Sequence, residues 1–290
     1  MLLGLAAGGL SLVPQQLFPA SDRPDLMVDL KLTQAASISA TDDASTKLDA
    51  ILKTDPDIDH WSSYIGSGAP RFYLPMVVQL PNDFIAQTVI VAKSLSARER
   101  IRAKLDRLLP GQFPETIARV YPLELGPPVG WPVQYRVSGP DVAEVRRIAY
   151  QVGDLLAAQP NARTVNFDWI ETGKVLRIKV DQDQAAILGL NSEELARALN
   201  TVISGQTITQ VRDGIYLVDV VVRASEQDRL SIGTLQTLQI PLPGGGTAPL
   251  SQFASLEYDR DWPLIWRRDR LPTLTVQSDV AHDVEPDVVV

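Results

Sequence analysis

The stretch Lys174–Gln210 reads KVLRIKVDQDQAAILGLNSEELARALNTVISGQTITQ, and local signals assign its elements. Val175–Asp181 alternates Leu176, Ile178 and Val180 with Arg177 and Lys179, the two-residue period of a half-buried strand. Gly189 suits a helix C-terminus, and Asn191 followed three residues later by Glu194 has the spacing of a capping box. The pattern predicts a strand, a short helix, a break, a second helix and another extended run. Such a compact unit fits any α+β protein, so its meaning depends on what flanks it.

Upstream, Asp25–Leu32 alternates as a strand, and Ser39–Lys53 has helical spacing at Ala44, Leu48, Ile51 and Leu52, with Thr41 as its N-cap and Pro56 beyond its end. Ile58–Ile65 reads as a strand leading into the loop GSGAPRFYLP. Phe84–Lys93 is a strand, Ser96–Leu109 a helix ended by Pro110 and Gly111, and Thr116–Leu123 a further strand. Strand, helix, strand, strand, helix, strand is the split βαβ order of a ferredoxin-like domain, with two helices on one face of an antiparallel sheet.

GPPVGWP (Gly126–Pro132) interrupts regular structure and marks a boundary. A second round begins with a strand at Val133–Val137, a helix over Pro140–Ala158 with Pro140 in its first turn, and a strand at Thr164–Trp169. The opening stretch then breaks the repeat. It is followed by strands at Ile215–Arg223, Leu235–Pro241 and Ala248–Tyr258. Gly244-Gly245-Gly246 reads as a hairpin tip; a phosphate-cradling loop would need a following helix and a Lys-Ser/Thr pair. Leu271–Asp279 is the next strand of the interrupted domain. Its expected helix and last strand do not follow before Val290, so this domain is expected to be incomplete.

The 290-residue chain is 45% hydrophobic and 21% charged, a globular composition with room for two or three cores. A net charge of −8 spread along the chain argues against a nucleic-acid surface. The short cluster Trp266–Arg270 contains an acid and reads as a solvated strand or domain junction. There is no cysteine, which excludes disulfides and thiolate chemistry but leaves the compartment open. His60 and His282 are too far apart in sequence for a local metal motif, and no metal site or cofactor is expected. Neither a G-x-S-x-G nor a histidine near a plausible serine is present, so no enzyme is expected. The acid pairs Asp42/Asp43 and Asp181/Asp183 suit helix starts. The uncharged segment MLLGLAAGGLSLVP is too short to span a bilayer and lacks a preceding Lys or Arg. It reads either as a buried helix or strand or, as preferred here, as the outer end of a transmembrane helix (1–14).

DQDQAAILGLNSEELARALNTVISG resembles the DxxxAxxLGLSxxDVxxxLNxxxSG segment in the periplasmic loops of resistance-nodulation-division (RND) multidrug efflux permeases. VPQQLFPASDRPDLMVDLKLTQAAS, YIGSGAPRFYLPM, ELGPPVGWPVQYRVSGPD and LIWRRDRLPTLTV are similar to family wording, in the family's order. The resemblance implies the periplasmic loop of the permease's second half. That loop has two ferredoxin-like porter subdomains, at 24–125 and at 130–172 with a truncated 264–290, and an α+β docking subdomain inserted at 173–263. It further implies a homotrimeric, proton-driven exporter in the inner membrane of a Gram-negative bacterium, joined to a periplasmic adaptor protein and an outer-membrane channel. Its membrane attachment would come through helices absent from this stretch.

Two sets of residues are candidate substrate contacts. Tyr64, Arg71, Phe72 and Tyr73 flank a pliable loop containing Gly66 and Gly68, which by resemblance is the switch loop between drug pockets; equally, its aromatics could close a hairpin core. Asp29 and Lys31 share one face of the first strand, and Asn166 and Asp168 one face of a later strand. By resemblance both strands line the cleft between porter subdomains, with Trp266 and Arg268 beside them, although ordinary exposed alternation explains the same residues. Copper and silver pumps of this superfamily need soft thioether ligands, and here Met1, Met27 and Met76 are the only methionines. A hydrophobic or amphiphilic substrate is expected; the competing expectation is a trimerisation and adaptor-docking module without substrate contacts.

Overall fold

The computed structural model describes residues 21–74, 76–126, 130–225, 232–281 and 284–290. The 1–14 segment, residues 127–129 of the proline-rich junction and His282 lie outside the described residues. The chain divides into two compact units, one running to Gly173 and resuming at Trp262, the other spanning Lys174–Asp261.

In the first unit, β1 (Asp25–Lys31), α1 (Ile38–Leu52), β2 (Ile58–Ile65), β3 (Ile85–Ala92), α2 (Leu95–Gln112) and β4 (Ile117–Pro122) form an antiparallel sheet of order β2-β3-β1-β4. This is the ferredoxin-like arrangement. Alternation on β1 puts Leu26, Val28 and Leu30 into a core with Leu48 and Leu52 of α1 and Ile101 and Leu105 of α2. The opposite face of β1 is buried as well, because Met27 packs with Ala69 and Met76 of the long β2–β3 loop and with Leu123.

Both helices depart from the expected ends. The cap of α1 is Ser37, whose hydroxyl accepts from Ala40 N–H, whereas Thr41 is inside the helix and donates to Asp83 O at 2.6 Å. The α2 helix, capped by Ser94, runs through Pro110 to Gln112. Proline sacrifices one helix hydrogen bond. Burial of Leu109 and Phe113 offsets the loss, with Phe113 N–H bonding Leu109 O at 2.8 Å.

The second round supplies β5 (Val133–Ser138), α3 (Val142–Ala157) and β6 (Ala162–Phe167). Asp141 caps α3 by accepting from Ala143 and Glu144 N–H, which leaves Pro140 before the cap, outside the expected first turn. Gly153 lets α3 lie against β6: a Cβ there would sit 2.8 Å from Phe167 Cζ.

The second unit contains β7 (Gly173–Val180), α4 (Gln182–Ile187), α5 (Ser192–Ile203), β8 (Gln206–Asp213), β9 (Tyr216–Val222), α6 (Ile232–Gln236), β10 (Gln239–Pro241), β11 (Thr247–Pro249) and β12 (Ala254–Asp261). Leu190 N–H bonds Ala185 O and Gly189 N–H bonds Ala186 O, a Schellman ending that needs the positive φ of Gly189, +71°. Asn191 and Glu194 form the expected capping box, with Glu194 N–H donating to Asn191 Oδ1 at 2.9 Å. Ala185, Leu190, Leu195, Ile240, Leu250 and Phe253 make the core. Leu235 lies in α6 and not in a strand, and Ala248–Tyr258 is broken by a turn at Leu250–Gln252 that buries Leu250 and Phe253. Gly245 and Gly246, both at positive φ, lie in the turn joining β10 to β11. β8 and β9 form a hairpin exposed along almost its whole length.

The chain returns to the first unit through β13 (Arg267–Arg268) and β14 (Leu271–Val280). β14 pairs antiparallel with both β5 and β6, so the sheet is built from segments separated by the second unit's residues. Leu274, Val276, Val145, Ala149, Leu156 and Trp169 form its core. The architecture is α+β, with ferredoxin-like sheets and an inserted α+β unit.

Candidate functional site

The Gly66–Tyr73 loop begins where β2 ends. Gly66, at φ +72°, donates to Ile85 O at 2.8 Å, and Gly68 donates to Gln79 O at 3.3 Å. A Cβ on Gly68 would lie 2.7 Å from Gln79 Cβ, so the two limbs touch. Tyr64 and Tyr73 are half-buried against Met27, Ala69 and Met76. Arg71 and Phe72 are exposed, as are Leu74, Val77 and Leu80 further along. The Phe72 and Tyr73 rings lie 5.5 Å apart, and the Arg23 guanidinium lies 5.7 Å from the Phe72 centroid. Burial pushes the Tyr73 phenol up, helped by the Glu124 charge. Two aromatics therefore seat the loop while Phe72 and three aliphatic side chains offer apolar area to solvent.

Strand register sets Tyr64 of β2 opposite Gln87 of β3, Gln87 opposite Asp29 of β1, and Asp29 opposite Arg119 of β4. By resemblance Asp29 lines the cleft between porter subdomains; here it is half-buried, with its carboxyl bonded on this face of the sheet. It accepts from Gln87 Nε2 at 2.7 Å and from Tyr121 OH at 3.0 Å. Burial holds its carboxyl above the usual carboxylate range, against the pull of those two bonds and of Arg119. Arg119 lies 4.7 Å from the Tyr121 ring and 4.6 Å from the Trp131 ring, and bonds Asp279 through Nε at 2.7 Å and Nη2 at 2.9 Å.

A raised folded-state pKa means that the native chain binds this proton more tightly than the unfolded chain does. Stability is then lost as pH rises from the ordinary aspartate value of about 3.9 through the folded value. Asp29→Asn is therefore expected to gain on the wild type, in urea midpoint, as pH rises above about 4. A relative loss over that range would mean that the site favours the anion.

Lys31, Asn166 and Asp168 are brought together around a cavity of about 190 Å³, also lined by Gln34, Ile117 and Glu171. Lys31 Nζ donates to Asp168 O at 2.8 Å, Gln34 Nε2 to the same oxygen at 3.3 Å, and Gln34 N–H to Glu171 Oε2 at 3.2 Å. Burial lowers the Lys31 ammonium pKa, opposed by Asp168 and Glu171. Asp168 Oδ1 accepts from Trp169 N–H at 2.9 Å and Thr275 N–H at 2.8 Å, and burial raises its pKa against those bonds. Asn166 is held by Gln277 at 2.9 Å and by Thr164 O at 2.7 Å. Of the three, only Lys31 reaches across from β1, while the side chains of Asn166 and Asp168 are bonded within their own sheet. Trp266, half-exposed before β13, and exposed Arg268 do not line this cavity.

Gln34, Gln87, Arg119, Tyr121, Glu171 and Asp279 carry no signal in the sequence that singles them out. Arg119 and Asp279 are 160 residues apart, and no local spacing signals their pairing. Among the described residues no group of three His, Cys, Asp or Glu could hold a metal ion, and no helix is long and apolar enough to cross a membrane.

A family model described as the AcrB/AcrD/AcrF family matches residues 1–288. The multidrug resistance protein MdtC of Shigella flexneri is 24% identical over 255 residues, 88% of this chain and 24% of that protein. The cobalt-zinc-cadmium resistance protein CzcA of Cupriavidus metallidurans is 32% identical over 130 residues, 43% of this chain and 12% of that protein. The crystal structure of a heavy metal efflux pump superposes with a TM-score of 0.75 and 20% identity, over 96% of this chain and 30% of that one. At that identity the likeness carries the fold alone. The chain spans about a quarter or less of the length of these curated relatives.

Proposed function

From the premise that this chain belongs to the AcrB/AcrD/AcrF family of RND permeases, we propose that it is the periplasmic substrate-handling and docking part of a proton-driven exporter of hydrophobic or amphiphilic compounds. In this reading the two ferredoxin-like sheets are porter subdomains, residues 24–125 and residues 130–172 with 264–290. Residues 173–263 are the docking insertion of the permease's second half. The full permease would work as an inner-membrane trimer, with an adaptor and an outer-membrane channel on the periplasmic side.

The observation that carries the proposal is the Gly66–Tyr73 loop with its continuation to Leu80. Exposed Phe72, Leu74, Val77 and Leu80 beside half-buried Tyr64 and Tyr73 suit an amphiphile with an apolar body. Met27 and Met76, the methionines outside the N-terminal segment, are spent on packing beneath this loop at 2% and 4% exposure, which favours organic over soft-metal substrates. The cavity beside Lys31 is below the roughly 300–1,000 Å³ of ordinary ligand pockets, so substrate passage there would require the subdomains to part.

Phe72→Ala with Tyr73→Ala, introduced into the full-length permease, is expected to lower the inhibitory concentrations of some compounds severalfold at unchanged pump level. Unchanged values across a broad panel would reject the loop as a substrate contact. A second reading, docking and trimerisation alone, is favoured by the β8–β9 hairpin, which exposes Ile208, Val211, Tyr216, Leu217, Val218 and Val221. An apolar arm of this length suits burial against another chain.

A further inference from the structure

Asp29 is a half-buried acid that the proposed substrate path does not touch. Burying such a group without a cationic partner in contact costs stability, and an apolar residue of similar size would cost less. Its geometry gives it a use. The amide of Gln87, itself 1% exposed, has three partners: Nε2 donates to Asp29 Oδ1 at 2.7 Å and to Tyr121 OH at 3.4 Å, and Oε1 accepts from Ala69 N–H at 2.8 Å. Ala69 lies within the Gly66–Tyr73 loop and is fully buried. A carboxylate can only accept, so Asp29 selects the amide orientation that leaves Oε1 facing the loop. Tyr121 OH, donating to Asp29 Oδ2 at 3.0 Å, holds the acid in place from the other side.

We infer that Gln87 and Asp29 are positioning residues that set the seat of the Gly66–Tyr73 loop from beneath, and thereby which compounds its exposed face accepts. The inference rests on the reading of this loop as a substrate contact. The limbs of the loop are already tied at Gly66 and Gly68, so the Ala69 bond governs the part that carries Arg71, Phe72 and Tyr73. Loss of that one bond leaves the limbs joined and the loop seat free to shift. The effect belongs on selectivity, with the sheet itself retained.

The test uses Gln87→Met, which keeps the length and removes the bonds to Asp29, Tyr121 and Ala69, and the paired exchange Asp29→Asn with Gln87→Glu. The pair swaps amide and carboxylate between the two strands. The amide now on β1 would donate to the carboxylate now on β3, and that carboxylate would still accept from Ala69 N–H. Hydrogen exchange is read at residue resolution in the full-length permease, with the Gly66 amide as internal reference. Gln87→Met is expected to speed exchange at Ala69 about tenfold or more, leaving Gly66 unchanged, while the paired exchange stays near wild type. The rank order of compound susceptibilities should change in Gln87→Met and return in the pair. A purely structural role would instead scale every susceptibility together with the pump level. Wild-type protection of Ala69 in Gln87→Met, or protection as weak in the pair as in Gln87→Met, overturns the inference. Released Ala69 in Gln87→Met, in a permease indifferent to Phe72→Ala with Tyr73→Ala, would uphold the positioning and remove the loop's substrate role.

Discussion

Trp169→Ala is expected to destabilise the first unit by about 3–5 kcal/mol, the range for removing a large buried aromatic from a core. Trp169 is 1% exposed, packs with Val145, Ala149, Leu274 and Val276, and donates its indole N–H to Thr273 O at 2.8 Å. Alanine would leave a cavity and also remove the indole's hydrogen bond from a buried carbonyl, two losses that add. The side chain also follows Asp168, whose carbonyl receives Lys31 and Gln34, so the cavity wall should loosen with it. Trp169→Phe should recover most of the packing and still lack the indole bond. Urea unfolding followed by tryptophan-independent circular dichroism measures the difference. A shift in Trp169→Ala below about 1 kcal/mol would show that neighbouring side chains refill the site.

Asp279→Ala is expected to cost about 3 kcal/mol, the lower end for breaking a buried ion pair by removing one partner. The Arg119 side chain is 11% exposed and Asp279 26%, so solvent reaches the acid more than the base. The loss comes from stranding the guanidinium between Tyr121 and Trp131. Arg119→Met combined with Asp279→Leu removes both charges and should recover much of that loss. If the double variant is no better than Asp279→Ala alone, the unpaired charge is not the main source of the loss, or its relief is cancelled by the lost stacking of Arg119 on Tyr121 and Trp131. Because Arg119 lies on β4 and Asp279 on β14, this pair ties the two sheets of the first unit together.

Much of the fold is legible because its signals are short in range. The Asn191–Glu194 capping box and the Gly189 ending act over three or four residues, and both occur as read. The interrupted βαβ pattern is legible for the same reason: β14 alternates like its partners, and one strand-length gap between β5 and β6 needs filling. The ends of α1 and α2 depend instead on distant partners. Thr41 has the chemistry of a cap, but its hydroxyl is taken by Asp83 O, 42 residues away. Pro110 has the chemistry of a stop, but buried Leu109 and Phe113 hold the last turn onto the core.

The candidate site is legible in its aromatics and glycines and illegible in its polar wiring. Alternation puts Asp29 and Lys31 on one face of β1, and that much is correct. Sequence alone does not distinguish their environments. The β2–β3 loop folds over Asp29 through Ala69 and Gln87, while Lys31, two residues on, reaches Asp168 O beside an open cavity. The sequence by itself determined the family wording, the ferredoxin-like order and the local caps, since each follows from periodicity or side-chain reach within one turn. Only the tertiary structure decided that both faces of β1 are covered and that the Asp29 carboxyl is bonded to Gln87 and Tyr121. Burial depends on what covers a strand, and here the cover comes from residues tens of positions away in the chain.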